Sequence, residues 1–311
     1  MYEVAIIGGG PAGITAGIYG ARKNLKTILF EEKLLGGTVN SATIVDDFPG
    51  IPDTQGIKLG AKFGEHLRKY GVEVIDEKVD KIEKKGDSFI LHAGGKTFEA
   101  KTVVLATGSK RRKIGLLAEE QFDGKGISYC TNCDGPLYKG KAVAVVGGGD
   151  AALTAALYLS EIAKPPVYLI HRRKEFRADE ATQKHVFEKE KQGKIKLLLE
   201  KSVVDLKGKN FLESIVIAGE GDCKKTELAL NGLFVEIGSD PENSLAKQLC
   251  LELDERGCIK TDERMRTSLK GVYAAGDVTG RQARLVVAAA HGALAAIDAH
   301  SLVRGIGKSP K

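Results

Sequence analysis

"VAIIGGGPAGITAGIYGARKNLKTILFEE", residues 4–32, returns in altered form as "VAVVGGGDAALTAALYLSEIAKPPVYLIHRR", residues 143–173. Each copy is an apolar run, a glycine-rich turn, an alanine-rich amphipathic stretch and a second apolar run, the pattern of a strand–helix–strand unit. The glycines recur at fixed offsets. Gly8, Gly10 and Gly13 form G-x-G-x-x-G, and Gly147, Gly149 and Ala152 form G-x-G-x-x-A. Such a turn needs one residue at positive φ, and it needs missing side chains where a pyrophosphate approaches the amides of the following helix. One such match is weak evidence, whereas two, each followed by a complete helix and strand, are a specific signal.

The expected fold is therefore α/β, with two Rossmann-like nucleotide-binding domains. The residues beside the glycines, Pro11, Ala12 and Asp150, belong to the same phosphate-binding turns. The two second strands end differently. Glu31 stands 23 positions after Gly8, close to the roughly 20 at which an acid meets an adenosine ribose. The second unit ends in "HRRKEFRA", where His171, Arg172, Arg173 and Arg177 replace acid with base and suit the 2′-phosphate of NADP. One site thus reads as built for FAD or NAD, the other for NADPH. Two later segments favour FAD at the first. "KTVVLATGS" and "TSLKGVYAAGDVTG" are strands ending in small residues, placing Ala106, Thr107, Gly108, Gly276 and Asp277 near a ligand. If both belong to the first domain, that domain is discontinuous. Residues 1–113 and 246–311 form the FAD-binding part, and residues 114–245 form an inserted NADPH-binding domain.

Within the insert lies "YCTNCDGPLY", residues 129–138. A structural zinc site needs four ligands, usually two close pairs. Cys223 is alone, Cys250 and Cys258 are eight positions apart, and no histidine pair accompanies them, so no metal is expected. Cys130 and Cys133 beside two nucleotide sites have a redox use instead, because this spacing stabilises a thiolate and yields an exchangeable disulfide. Asp134 adds a proton donor and acceptor, with the alternative role of capping the next turn.

Composition agrees. A chain of 311 residues with 42% hydrophobic and 28% charged residues is long enough for two cores. Five cysteines are too few and too scattered for a secreted framework, so a cytoplasmic location is expected. The net charge of +6 comes from scattered lysines, so neither nucleic acid nor membrane is expected as a partner. No apolar run is expected to reach the roughly 18 residues of a membrane span.

Taken in order, "GGGPAG", "FPG", "ATGS", "CTNCDG", "VVGGGDAA", "HRRKEFRA" and "GVYAAGD" resemble the low-molecular-weight thioredoxin reductase family of flavoproteins across essentially the whole chain. The resemblance implies that hydride passes from NADPH to FAD and then to the Cys130–Cys133 disulfide, and that the dithiol reduces thioredoxin. It further implies that Cys133 lies next to the flavin, that Cys130 attacks the partner's disulfide, and that Asp134 handles the proton. A homodimer is implied, as is rotation of one domain against the other about connections near residues 114 and 245.

Some positions depart from the family's pattern. Gly36-Gly37-Thr38-Val39 stands where the family has Gly-Gly-Gln-Leu, with Gly37 kept as a flavin contact, and Asp46-Asp47 replaces Glu-Asn, with Asp47 as the candidate contact. After the second fingerprint Ala151, Thr154 and Ala155 replace Ser or Thr and a glutamate pair. The family's Arg-Gln-Ala falls on Ala283, Arg284 and Leu285, with Arg281-Gln282 two residues early. Relatives fed by ferredoxin or a deazaflavin, or acting as dithiol oxidases, tend to lack the arginines, so their retention favours NADPH. "CDGP" also resembles the flavoprotein that reduces peroxiredoxin, which leaves a glutaredoxin-like partner open.

Overall fold

The computed structural model describes residues 1–42, 45–221 and 225–306, so that Cys223 lies outside the described residues. The chain divides into two compact units, residues 1–110 with 240–311, and residues 111–239. The crossings thus fall a few residues before 113/114 and 245/246. The two short strands Ser109–Arg111 and Ser239–Pro241, where the chain crosses, pair with each other.

The first unit is built on a seven-stranded sheet. Its centre is the strand Tyr2–Ile7, parallel to Thr27–Phe30 on one side and to Lys96–Leu105 on the other. The ten-residue strand Lys96–Leu105 changes neighbour along its length. Its first half pairs antiparallel with Ser88–Ala93, and its second half runs parallel to Val272–Ala274. Alternate residues of Tyr2–Ile7 enter two cores because helices or loops cover both faces, as an all-buried parallel strand requires. Val4 and Ile6 pack with Ile14, Ala16 and Ala295, whereas Ala5 and Ile7 pack with Phe30, Leu105 and Val278.

The helix Leu285–Arg304 corrects one sequence expectation, since it is by length and composition apolar enough to cross a membrane. Its composition has another cause here. Ala288, Ala295, Ala296 and Ala299 are buried in the core that contains the opening helix Pro11–Arg22, and the same helix buries His291 and Asp298. Asp298 accepts two hydrogen bonds of 2.6 Å from Arg266 and one of 3.0 Å from Tyr273. A buried charge paired in this way belongs to a protein interior.

The second unit carries a five-stranded sheet in the order Ile195–Leu199, Lys164–His171, Ala142–Val146, Gly232–Val235, Ile127–Ser128. Each neighbouring pair is parallel. A three-stranded antiparallel sheet, Ser202–Lys207, Ser214–Ala218 and Thr226–Ala229, is interposed in the chain between Ile195–Leu199 and Gly232–Val235.

Candidate active site

Parallel register decides what meets what. In the first unit Ile7 is level with Phe30 and Leu105, and Leu105 with Ala274. The residues that follow, Gly8, Glu31, Ala106 to Gly108 and Gly276 to Asp277, therefore leave the sheet at one edge, the carboxyl end where open α/β sheets bind ligands. At Gly8, with φ of +106°, an added Cβ would lie 2.2 Å from the Ala106 carbonyl oxygen. Gly10 differs, because a Cβ there would meet nothing closer than the Gly37 Cα at 4.0 Å. That open space lies on the turn that begins the helix at Pro11, with Gly10 as its N-cap, which fits a pyrophosphate lying against the turn. Ala12 and Gly13 are buried in the helix's first turn.

Glu31 folds back over the same turn, accepting from the Gly9 amide at 2.6 Å and from the Lys33 amide at 2.9 Å. Each oxygen keeps a second lone pair for a ribose hydroxyl. Thr107 donates its hydroxyl to the Glu242 carbonyl at 2.6 Å, and Gly108 accepts from the Glu242 amide. Asp47 is exposed on the loop closed by the Val45–Thr54 bridge. Arg281 is engaged, donating to the carbonyls of Thr261 and Asp262, whereas Arg284 is the N-cap of the C-terminal helix.

The same logic orders the second unit. Val146 is level with Ile170 and Val235, and Phe234 with both Val145 and Ser128. Gly147, His171 to Arg173, Glu236 and the dithiol segment therefore emerge at one edge. Gly147 is pressed against the Glu236 carbonyl, where a Cβ would come within 2.3 Å, while at Gly149 a Cβ would meet open space. Asp150, the first residue of the helix Asp150–Ile162, accepts from the Asp179 amide, and Ala152 is buried beneath the turn. The Arg177 amide donates to the Gly148 carbonyl at 2.7 Å, which ties the basic loop to the glycine turn. Arg172, Arg173 and Arg177 are exposed and make no salt bridge with any described residue. His171 is buried with its ring against Gly148 and stacked on Phe176. Burial, with Arg177, Arg173 and Arg172 close by, holds its pKa below the usual histidine range and outweighs the hydrogen bond to the Glu175 carbonyl.

Cys130 and Cys133 are joined in a disulfide, with Cα atoms 5.3 Å apart, at the start of the four-residue helix Thr131–Asp134. Asp134 does not cap the following turn with its side chain. It accepts a 2.6 Å hydrogen bond from the Ser128 hydroxyl, which in turn accepts from the Cys130 amide at 3.1 Å. Sequence reading missed Ser128, and it missed Glu236, which follows the strand Gly232–Val235 and accepts from Thr131, between the cysteines. A carboxylate directly after an apolar strand was the available signal, and its distance of some hundred residues from the dithiol hid it. Of the other thiols, Cys250 is exposed and Cys258 buried, and neither is bonded to another cysteine.

The sequence profile of the pyridine nucleotide-disulphide oxidoreductases matches residues 2–293. The chain belongs to that family. Its relatives place it in the thioredoxin reductase branch. It is 41% identical to a thioredoxin reductase of Mycoplasma pneumoniae over 96% of this chain and 93% of that one. Among solved structures, the thioredoxin reductase of Streptococcus pyogenes is similar with a TM-score of 0.85 and 35% identity, covering 98% of this chain and 99% of the other. A ferredoxin-flavin thioredoxin reductase of Clostridium acetobutylicum is similar at 32% identity and a TM-score of 0.53, with 98% of each chain covered. The family uses a flavin and a nicotinamide nucleotide. Both glycine turns of this oxidoreductase leave open the space that such groups require.

Proposed function

We propose that this oxidoreductase is an NADPH-dependent thioredoxin-disulfide reductase whose working couple is Cys130–Cys133. The observation that carries the reading is the shared edge of the second sheet, where a disulfide, a glycine turn and three exposed arginines emerge together. A flavin bound at the first turn would supply two-electron chemistry between a nicotinamide held at the second turn and the disulfide. The chain's own residues do the rest. Gly10 admits the flavin nucleotide's pyrophosphate on a turn that Gly8 and Gly13 let close against Ala106 and the helix, and Glu31 takes its adenosine ribose. Gly147, Gly149 and Ala152 form the second turn, and Arg172, Arg173 and Arg177 hold the 2′-phosphate by charge-assisted hydrogen bonds. Two electrons and two protons convert the disulfide to two thiols. Asp134, steadied by Ser128, takes up and returns the proton, and Cys130 as thiolate attacks the disulfide of thioredoxin or a glutaredoxin-like protein.

A reduced dithiol suits a reducing compartment, which supports a cytoplasmic location. A homodimer is supported by large apolar side chains that the single chain leaves exposed. Val286, Leu294 and Ile297 lie at helical spacing along the C-terminal helix, near Leu302, and Tyr19 is exposed on the opening helix packed beside it.

Anaerobic titration of the yellow protein tests the electron donor. Fast loss of oxidised-flavin absorbance with NADPH and slow loss with NADH is expected. Bleaching by dithionite but by neither nucleotide would reject the NADPH reading in favour of a ferredoxin-type donor.

A further inference from the structure

Glu236 is not accounted for by nucleotide binding. Its side chain is only 11% exposed, although a free carboxylate at a strand end would ordinarily turn to water. One oxygen, Oε1, accepts from the Thr131 hydroxyl at 2.8 Å and from the Thr131 amide at 3.3 Å. The other, Oε2, lies 3.9 Å from the guanidinium of Arg111, on the crossing strand Ser109–Arg111. Thr131 is itself buried and directly follows Cys130. The carboxyl is held from behind as well, because the Glu236 amide donates to Val146 and its carbonyl abuts Gly147.

We propose that Glu236 is a positioning residue for the Cys130–Cys133 couple, clamping Thr131 between the cysteines and setting through its charge how readily the reduced cysteines ionise. The clamp follows from geometry. Thr131 begins the helix Thr131–Asp134, so its amide has no intrahelical acceptor, and Glu236 supplies one from another strand. The electrostatic part follows from proximity in a poorly solvated place. A carboxylate one residue from Cys130 opposes a second negative charge there, so the thiols keep their protons to higher pH than they would without it.

Arg111 is the charged group that acts on Glu236, and it offsets part of this effect. On the dithiol helix the acid is Asp134, which Ser128 holds, and the acid of the glycine turn is Asp150, which accepts from the Asp179 amide. Burial raises the affinity of Glu236 for its own proton, while the Thr131 hydrogen bonds and Arg111 lower it, and burial prevails. Formation of a thiolate adds to the burial effect, so Glu236 and the dithiol compete for charge.

The proposal rests on Cys130–Cys133 as the working couple, and that premise is tested first. NADPH added to the wild-type holoenzyme should make Cys130 and Cys133 reactive to iodoacetamide, as read by mass spectrometry of the peptide carrying them. Unreactive cysteines beside a bleached flavin overturn the reading of the couple and the proposal with it, whereas unreactive cysteines beside a flavin still oxidised reject the NADPH donor alone, and dithionite then replaces NADPH in the same test. The proposal itself is tested on protein reduced with dithiothreitol and freed of it, by the alkylation rate of Cys130 between about pH 5 and 10. Wild type is compared with Glu236→Gln, which keeps the acceptor oxygen for Thr131 but carries no charge. The Glu236→Gln profile should move to lower pH by about half to one unit, roughly a three- to tenfold faster reaction on the rising limb. Arg111→Ala should move it the opposite way. If the Glu236→Gln profile overlays that of wild type, the proposal is overturned, because a merely structural residue would leave the midpoint in place.

Discussion

The Ser128 hydroxyl donates to Asp134 at 2.6 Å while accepting from the Cys130 amide at 3.1 Å. One small side chain at a strand end thereby fixes both the first cysteine and the acid behind the second. Replacing Ser128 by alanine should remove both links. We expect a several-fold slower reduction of thioredoxin and a stability loss of about 1–2 kcal/mol, since a partly buried amide and a carboxylate each lose a partner. Steady-state turnover and urea unfolding measure the two effects.

The glycine turns make opposite predictions for neighbouring positions. Gly8→Ala should destabilise the chain itself, because φ is +106° and the new Cβ would strike the Ala106 carbonyl. Gly10→Ala meets open space in backbone geometry that any residue adopts. It should fold normally and yet purify with little flavin. The ratio of 450 nm to 280 nm absorbance, together with thermal unfolding, separates these cases.

The arginines beyond His171 should govern the choice of nucleotide. Arg172→Ala combined with Arg173→Ala is expected to raise KM for NADPH by roughly 10- to 100-fold, about 1.4–2.7 kcal/mol, with KM for NADH little changed. An equal rise for both nucleotides would mean that the arginines serve the fold and not the 2′-phosphate.

Stability should depend on Asp298 in a pH window set by its direction of shift. Burial pushes its carboxyl up, but the hydrogen bonds from Arg266 and Tyr273 outweigh burial and hold the pKa below the ordinary 3.8. A carboxyl whose folded pKa is depressed contributes stability that is complete above the unfolded value and is lost as pH falls through the folded one. Asp298→Asn should therefore cost about 2 kcal/mol at pH 7, discounted for the half-exposed Arg266, and progressively less below about pH 4. Denaturant unfolding at pH 7 and pH 3 reads the difference.

The exposed apolar stripe predicts association. Leu294→Asp with Ile297→Asp should convert a dimer to monomer in sedimentation at micromolar concentration without loss of helix signal, because both side chains face outward. A wild-type monomer would show that the stripe is not an interface between copies.

By itself the sequence determined what depends on neighbours along the chain. The strand–turn–helix–strand units were legible because their glycines stand at fixed offsets from apolar runs, and Glu31 and the arginines because each ends such a run. The cysteine pair was legible for the same reason. Length and apolarity could not assign the helix Leu285–Arg304, because a core helix and a spanning one share a composition until their neighbours are known. Tertiary structure decided whatever depends on parallel register. Ser128, Phe234 and Val145 are aligned across strands separated by other elements, and only that alignment brings Glu236 to Thr131. It likewise decided that Arg266 meets Asp298 and that Arg281 is spent on the carbonyls of Thr261 and Asp262. Parallel strands need long crossovers, so the residues gathered at their ends are distant in the chain, and no local pattern connects them.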